Sequence, residues 1–216
     1  MATTRGATLW IVAAVGYLIL EAVAAAGYEP VYSYARNYIS ELGVNGGELV
    51  HGRMSGSTRS YLMHTAFYLQ GILFFLGALL IVGVPDSRRA RIFLGLVAAN
   101  AVGNIVIGTL HSGKLHRVGA ALAIVGGNTA ILAGSAIVAT IGGHRWYRRI
   151  SKLVAALGLL SLMILLINSA TSKANVLPDG VWERGSVYSI IIWQLLTAGC
   201  LLTIRRQRAT AHLDPG

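Results

Sequence analysis

The sequence predicts an all-α polytopic membrane protein, with six transmembrane helices in one bundle and both termini cytoplasmic. Composition is the first observation behind this. Of 216 residues, 55% are hydrophobic and only 12% are charged, and the mean hydropathy is +0.63; soluble domains rarely combine such values. The second is six apolar runs of roughly 20 residues, the helix length that spans the ~30 Å hydrocarbon core of a bilayer. The third is the placement of charge: lysines and arginines gather in short clusters at the ends of these runs. Six spans leave little chain for anything else, so residues 1–216 are expected to form a single membrane domain.

The spans fall at about 7–26, 61–84, 91–110, 118–142, 150–170 and 186–204. The first begins like a secretory signal, with Arg5, an apolar stretch and small residues, but it is long for a signal and Glu21 interrupts it. It reads as an uncleaved helix. Orientation follows from the basic residues in the connections. Arg5, Arg88, Arg89, Arg91, Arg145, Arg148, Arg149, Lys152, Arg205, Arg206 and Arg208 fall on one side in short segments. Arg36, Arg53, Arg59, Lys114, Arg117, Lys173 and Arg184 fall on the other in longer ones. The first side is therefore cytoplasmic and the second faces outward. The net charge of +10 follows from this distribution, and with no basic face on a soluble domain, no nucleic acid partner is expected. The single cysteine, Cys200, excludes an internal disulfide and a Cys-rich metal site.

Between the first two spans lies an outer segment, 27–60, too long for a bare connection. Its stretch YEPVYSYARNYISELG, residues 28–43, carries four tyrosines, Arg36, Ser40 and two carboxylates. Tyr34, Tyr38 and Leu42 recur at four-residue spacing before Gly43, which predicts a short amphipathic helix over 30–42 with a glycine stop. Asn45, Gly46 and Gly47 predict a turn.

Within the spans, Glu21, His64, Gln70, Asn100, Asn104, Asn128 and Asn168 all lie in the outer halves, whereas stretches such as Ile72–Val84 and Leu153–Leu160 carry no strongly polar side chain. Polar groups in hydrocarbon usually face the bundle interior or water. The asymmetry predicts a polar cavity open outward and closed toward the cytoplasm. Asn100, Asn104 and His111 fall within about 40° on a 3.6-residue helix. Ser161, Asn168 and Ser172 share a face, as do Ser186, Ser189 and Trp193, and Tyr17, Glu21 and Tyr28. The competing reading of these stripes is interhelical hydrogen bonding alone. In the fourth span Gly119, Ala123 and Gly127, then Ala130 and Gly134, make small-residue rows that allow close helix approach.

Three outer clusters hold candidate chemistry. Around Glu41, a general base, stand Arg36, Tyr38 and Ser40. The turn HSGKLHR, 111–117, offers His111 and His116 for proton transfer, with Arg117 for an anionic group. The i, i+5 histidine spacing is not that of a helical metal pair, so zinc would need His64 to converge with them; no metal and no cofactor are expected. DGVWERG, 179–185, supplies Glu183 and Arg184, with Trp182 as an interfacial anchor. The catalytic candidates are Glu41, His111 and His116. The substrate-binding candidates are Arg36, Tyr38, Ser40, Asn104, Arg117, Asn168, Glu183, Arg184 and Trp193.

RNYISELG, GTLHSGKLHRVGA and GVWERGSVYSIIIW, in this order and spacing, resemble the DUF998 family, six-helix prokaryotic membrane proteins of unassigned function. The resemblance spans almost the whole chain. Its family-like residues are Ser40, Glu41, Leu42 and Gly43, then Gly108, His116 and Gly119, then Glu183, Arg184 and Trp193. It implies the fold and a prokaryotic plasma membrane, but no reaction. The preferred functional reading is binding of, or action on, a lipid or other amphiphile at the outer leaflet. The alternatives are an accessory subunit that docks a membrane protein partner, or forms a homo-oligomer, through its aromatic outer segment, and a small-molecule transporter.

Overall fold

The structure is a computed structural model in which residues 1–50, 53–138, 144–171 and 177–211 are described. Six helices dominate it: α1 Ala2–Ala25, α2 Ser60–Val82, α3 Arg88–Thr109, α4 Gly113–Gly134, α5 Arg145–Thr171 and α6 Asp179–Ala211. All six are long and apolar enough to cross a membrane. Each packs on its chain neighbours, and α1 also packs on α6, so the six close into a bundle. The helices begin up to seven residues before the apolar runs, because charged first turns such as Arg88–Arg91 are helical too. The end placed near residue 142 for the fourth span lies outside the described residues.

Small residues set the closest approaches. A Cβ on Gly103 would sit 2.3 Å from the backbone nitrogen of Ala123 and 2.5 Å from the carbonyl oxygen of Gly119, so α3 and α4 touch backbone to backbone there. Gly127 and Gly134 instead make room for side chains of α6, those of Ile190 and Trp193. Without a hydrophobic drive between helices in lipid, such contact area supplies the packing energy.

Two apolar clusters stack along the bundle axis. One is aromatic: Trp10 lies 5.4 Å from Phe74 and 5.3 Å from Trp193, between ring centroids, and Phe93 completes the group. Both indoles are satisfied, Trp10 donating to the Phe74 carbonyl and Trp193 to Ser151 Oγ. The other cluster, with Tyr17, Met63 and Phe67, reaches up to Ile39 and Leu42 of the segment that follows α1.

That segment is a cap, but not the helix predicted over 30–42. It forms β1 Tyr28–Glu29, a 3-10 helix at Ile39–Gly43, β2 Glu48–Val50 and β3 Arg53–Ser57, with the antiparallel strand order β1-β3-β2. The reason is visible in its hydrogen bonds. Asn37 Oδ1 accepts from the Ser33 backbone nitrogen, a side-chain bond that competes with helical pairing. The Tyr34 and Asn37 carbonyls accept from the Arg184 guanidinium instead of from amides one turn later. Tyr34 is consequently exposed while Leu42 is fully buried, so the four-residue spacing does not make one face. The Asn45–Gly47 turn is present, with Gly47 at φ 83°.

Candidate functional site

The cap is bolted to the bundle through Arg184, on the first turns of α6. One terminal nitrogen donates to the carbonyls of Tyr34 (2.6 Å), Asn37 (3.0 Å) and Gly180 (3.2 Å). The other donates to Glu21 Oε1 at 3.1 Å and to the Tyr32 hydroxyl. The guanidinium also stacks 4.8 Å from the Tyr34 ring centroid and 5.3 Å from that of Tyr32. Glu21, on α1, accepts from Tyr188 through its second oxygen at 2.8 Å. A planar fork of donors suits this multidentate duty, which an ammonium cannot reproduce. The neighbouring Glu183 accepts from the Ile39 backbone amide, at the start of the 3-10 helix. Glu183 and Arg184 thus do not pair with each other as a structural ion pair; each holds the cap separately.

Glu41 is engaged within the cap. Its carboxylate accepts from the Tyr28 hydroxyl (2.9 Å), Asn37 Nδ2 (2.7 Å) and the Tyr38 backbone nitrogen (3.4 Å). These three donors engage both oxygens of the carboxylate. Glu41 is therefore a structural acceptor before it is a base. Tyr38 donates to Asp179 Oδ2 at 2.8 Å, and Asn168 donates to Asp179 Oδ1 at 3.0 Å, so Asp179 joins the cap to α5 and α6. Burial pushes the Tyr38 phenol up to about 12, and the Asp179 carboxylate adds to the rise. Burial raises the Tyr32 phenol as well, against the opposing pull of Arg184.

Beneath the cap lies an internal cavity of about 50 Å³. Its walls are Tyr17 of α1, Phe67 and Gln70 of α2, Asn100, Asn104 and Ile107 of α3, His116 and Ala120 of α4, Glu183, Val187 and Ile191 of α6, and Ile39 and Ser40 of the cap. The lining is more apolar than polar. Most polar groups in it are spent on the protein: Asn100 donates to the Ala123 carbonyl at 2.6 Å, and Asn104 donates back to Asn100. Gln70 Nε2 donates to Gln194 Oε1 at 2.6 Å. The Tyr17 hydroxyl and Gln70 Oε1, both on residues at most 4% exposed, have no hydrogen-bond partner among the described residues.

Above the cavity, a surface cleft of about 260 Å³ is lined by Tyr38, Ser40, Glu41, Glu48, Leu49, His111 and Ser112. Ser40 lines both spaces and is the shared wall between them.

The sequence candidates therefore divide. Tyr38, Ser40, Glu41 and His111 meet at the cleft, and Ser40, Asn104, His116 and Glu183 meet at the cavity. His111 lies 3.6 Å from Glu48, while His116 Nδ1 is 2.5 Å from the Leu110 carbonyl and ties the α3–α4 turn. His64 faces a different partner, with Nδ1 2.7 Å from the Gly108 carbonyl. Among the described residues no group of three or more His, Cys, Asp or Glu side chains could hold a metal. Arg36 and Arg117 are exposed at the surface. Asn168 lines neither space, and Trp193 lies in the aromatic cluster at the other end of the bundle. A serine-asparagine stripe does cross the bundle, but at Ser189 and Ser186 with Asn128, as interhelical bonding. Ser172 lies outside the described residues. Tyr32, Tyr188 and Gln194 went unmarked in the sequence, because their partners stand 124 to 167 residues away.

A six-helix bundle of membrane-crossing length, closed at one end by a strand-and-turn cap, defines a multi-pass membrane protein. A family profile described as "protein of unknown function (DUF998)" matches residues 11–199, and the chain belongs to that family. No curated protein and no solved structure matches it.

Proposed function

We propose that this protein binds a small amphiphile beneath its cap, taken from the outer leaflet of a prokaryotic plasma membrane. The observation that carries the reading is the pair of orphaned buried polar atoms, Tyr17 hydroxyl and Gln70 Oε1, on residues lining an otherwise largely apolar cavity. Leaving a buried polar group unpaired costs about 1–3 kcal/mol, and a ligand carrying a hydroxyl or carbonyl removes that cost. A largely apolar pocket with a few convergent polar groups is the usual form of a small-molecule site.

An outward-facing cap is supported by the charge count, since the basic clusters of the short connections stand at the opposite end of the bundle. The cavity of about 50 Å³ has room for roughly three to five waters at ~10–15 Å³ each. The ligand's buried part is therefore short, and its head occupies the cleft past Ser40. The residues lining that cleft offer two carboxylates, a histidine, two serines and a phenol and include no arginine or lysine. Arg184, one of the substrate-binding candidates, is engaged by the cap. The chemistry suits a neutral or cationic polar head. His116 and Glu183 line the cavity and are the groups available for acid–base chemistry on the bound molecule.

The test is native mass spectrometry of the protein purified in mild detergent, compared with Ala120→Leu, which fills the cavity. An organic adduct on the wild type that is lost in a folded Ala120→Leu supports the reading. A wild type without adduct, or an adduct indifferent to the substitution, contradicts it.

A second reading rests on the cap's outer face. Leu49 and Met54 are cross-strand partners, 72% and 65% exposed, a surface for a membrane partner subunit or a second copy. Leu49→Ser with Met54→Ser removing a partner in gentle detergent, with the adduct unchanged, separates this reading from the first.

A further inference from the structure

At the end of the bundle opposite the cap, a cleft of about 580 Å³ is lined by Arg89, Arg145, Arg148, Arg149 and Lys152, with Ser135 and Leu132. We propose that this cleft holds the phosphate of an anionic membrane phospholipid.

The positive-inside rule asks only for basic residues on one side of the membrane. It does not ask that they converge, and here they do. Arg145, Arg148, Arg149 and Lys152 recur at i, i+3, i+4 and i+7, one face of α5. Arg89 reaches the same cleft from the first turn of α3, across the C-terminal end of α4. Like charges three and four residues apart destabilise a helix, so the arrangement persists at a cost that a bound anion relieves. No acidic residue is among those lining the cleft. The α4 terminus supplies only the partial negative charge of its last carbonyls. The N-termini of α3 and α5 add donors of the opposite sign, favourable to phosphate.

Position selects a lipid over a soluble anion. The cleft sits at the ends of spanning helices. Below it α5 exposes Ile150, Leu153, Leu157 and Leu160, an apolar flank along which acyl chains lie while the headgroup stays among the cations. Leu132 in the cleft wall continues that surface. Basic pockets between spanning helices are an established way to bind anionic headgroups.

The experiment uses the full chain in nanodiscs or mild detergent, titrated with dioleoylphosphatidylglycerol, with phosphatidylcholine of the same chains, and with inorganic phosphate as competitor. Retained lipid is read by native mass spectrometry. One variant combines Arg148→Gln, Arg149→Gln and Lys152→Gln; the control, with equal charge loss at the same end but outside the cleft, combines Arg5→Gln, Arg91→Gln and Arg205→Gln. The expected result is selective retention of phosphatidylglycerol, weakened about 100-fold in the cleft variant and only a few-fold in the control. Should the cleft variant fail to fold, the wild-type comparison of the two lipids and the phosphate competition decide. Equal retention of both lipids, equal loss in both variants, or displacement by inorganic phosphate at concentrations comparable to the lipid overturns the proposal.

Discussion

Arg184 and Glu21 meet 3.1 Å apart inside the bundle, at 7% and 1% exposure, and join the first helix to the last. Removing one member leaves the other charge buried and unpaired, which costs about 3–5 kcal/mol. Arg184→Ala is therefore expected to lower the unfolding temperature in detergent sharply and to release the cap to protease. Combining Arg184→Met with Glu21→Leu removes both charges and is expected to be milder than Arg184→Met alone, because no buried carboxylate is left unpaired. A double variant as damaged as the sum of the singles would mean that the pair is not coupled.

Close helix contact makes a second prediction. A Cβ on Gly103 would stand 2.3 Å from the Ala123 backbone, whereas one on Gly95 of the same helix meets nothing within 4 Å. Gly103→Val is expected to cost at least the roughly 1–3 kcal/mol of overpacking. Gly95→Ala is expected to be neutral or to gain up to about 1 kcal/mol from reduced backbone entropy. Melting curves of the two variants check both. Similar losses in the two would contradict the close approach of α3 and α4.

Tyr38 supplies a pH signature. Its phenol is raised from an ordinary value near 10 to about 12, first by burial and then by Asp179. A group held protonated in the fold contributes stability that is complete below its unfolded pKa and is lost as pH climbs through the folded one. Wild-type stability attributable to Tyr38 is thus expected to fall between about pH 10 and 12. In Tyr38→Phe that component is absent, and in Asp179→Asn the fall is shallower, since burial remains. Denaturant midpoints measured across this range, as differences from wild type, read the effect; identical profiles for wild type and Tyr38→Phe would rule it out.

The orphaned hydroxyl makes a fourth. Tyr17→Phe removes a buried donor without a hydrogen-bond partner among the described residues, so the ligand-free protein is expected to be stabilised by up to about 1–3 kcal/mol. The same change weakens binding of the amphiphile. Thermal melts of delipidated protein test the first half. A destabilised Tyr17→Phe would show that the hydroxyl already has a partner in the fold.

How much of this was legible in the sequence depended on distance along the chain. The helices were legible because membrane span length is written in continuous apolar runs, and the basic first turns of α3 and α5 were missed only as helix, not as charge. The cap was misread. Tyr34, Tyr38 and Leu42 mimic a helical face, yet the carbonyls of Tyr34 and Asn37 in that stretch are held by Arg184, about 150 residues away. Strands of two to five residues carry no periodicity long enough to detect. Glu21 stood out as a polar residue inside the first span and Arg184 as a substrate-binding candidate, but nothing local paired them. Trp193 shared a predicted face with Ser186 and Ser189 and still packs in the aromatic cluster, because the face points along the whole bundle rather than into one cavity.

The central claim is a ligand beneath the cap, and the most direct measurement is an experimental density map of the protein purified without delipidation. Continuous density is expected within hydrogen-bonding distance of the Tyr17 hydroxyl and Gln70 Oε1, running past Ser40 into the cleft of Glu41, Glu48 and His111. Isolated water peaks on those two atoms, with no density crossing Ser40, would contradict it.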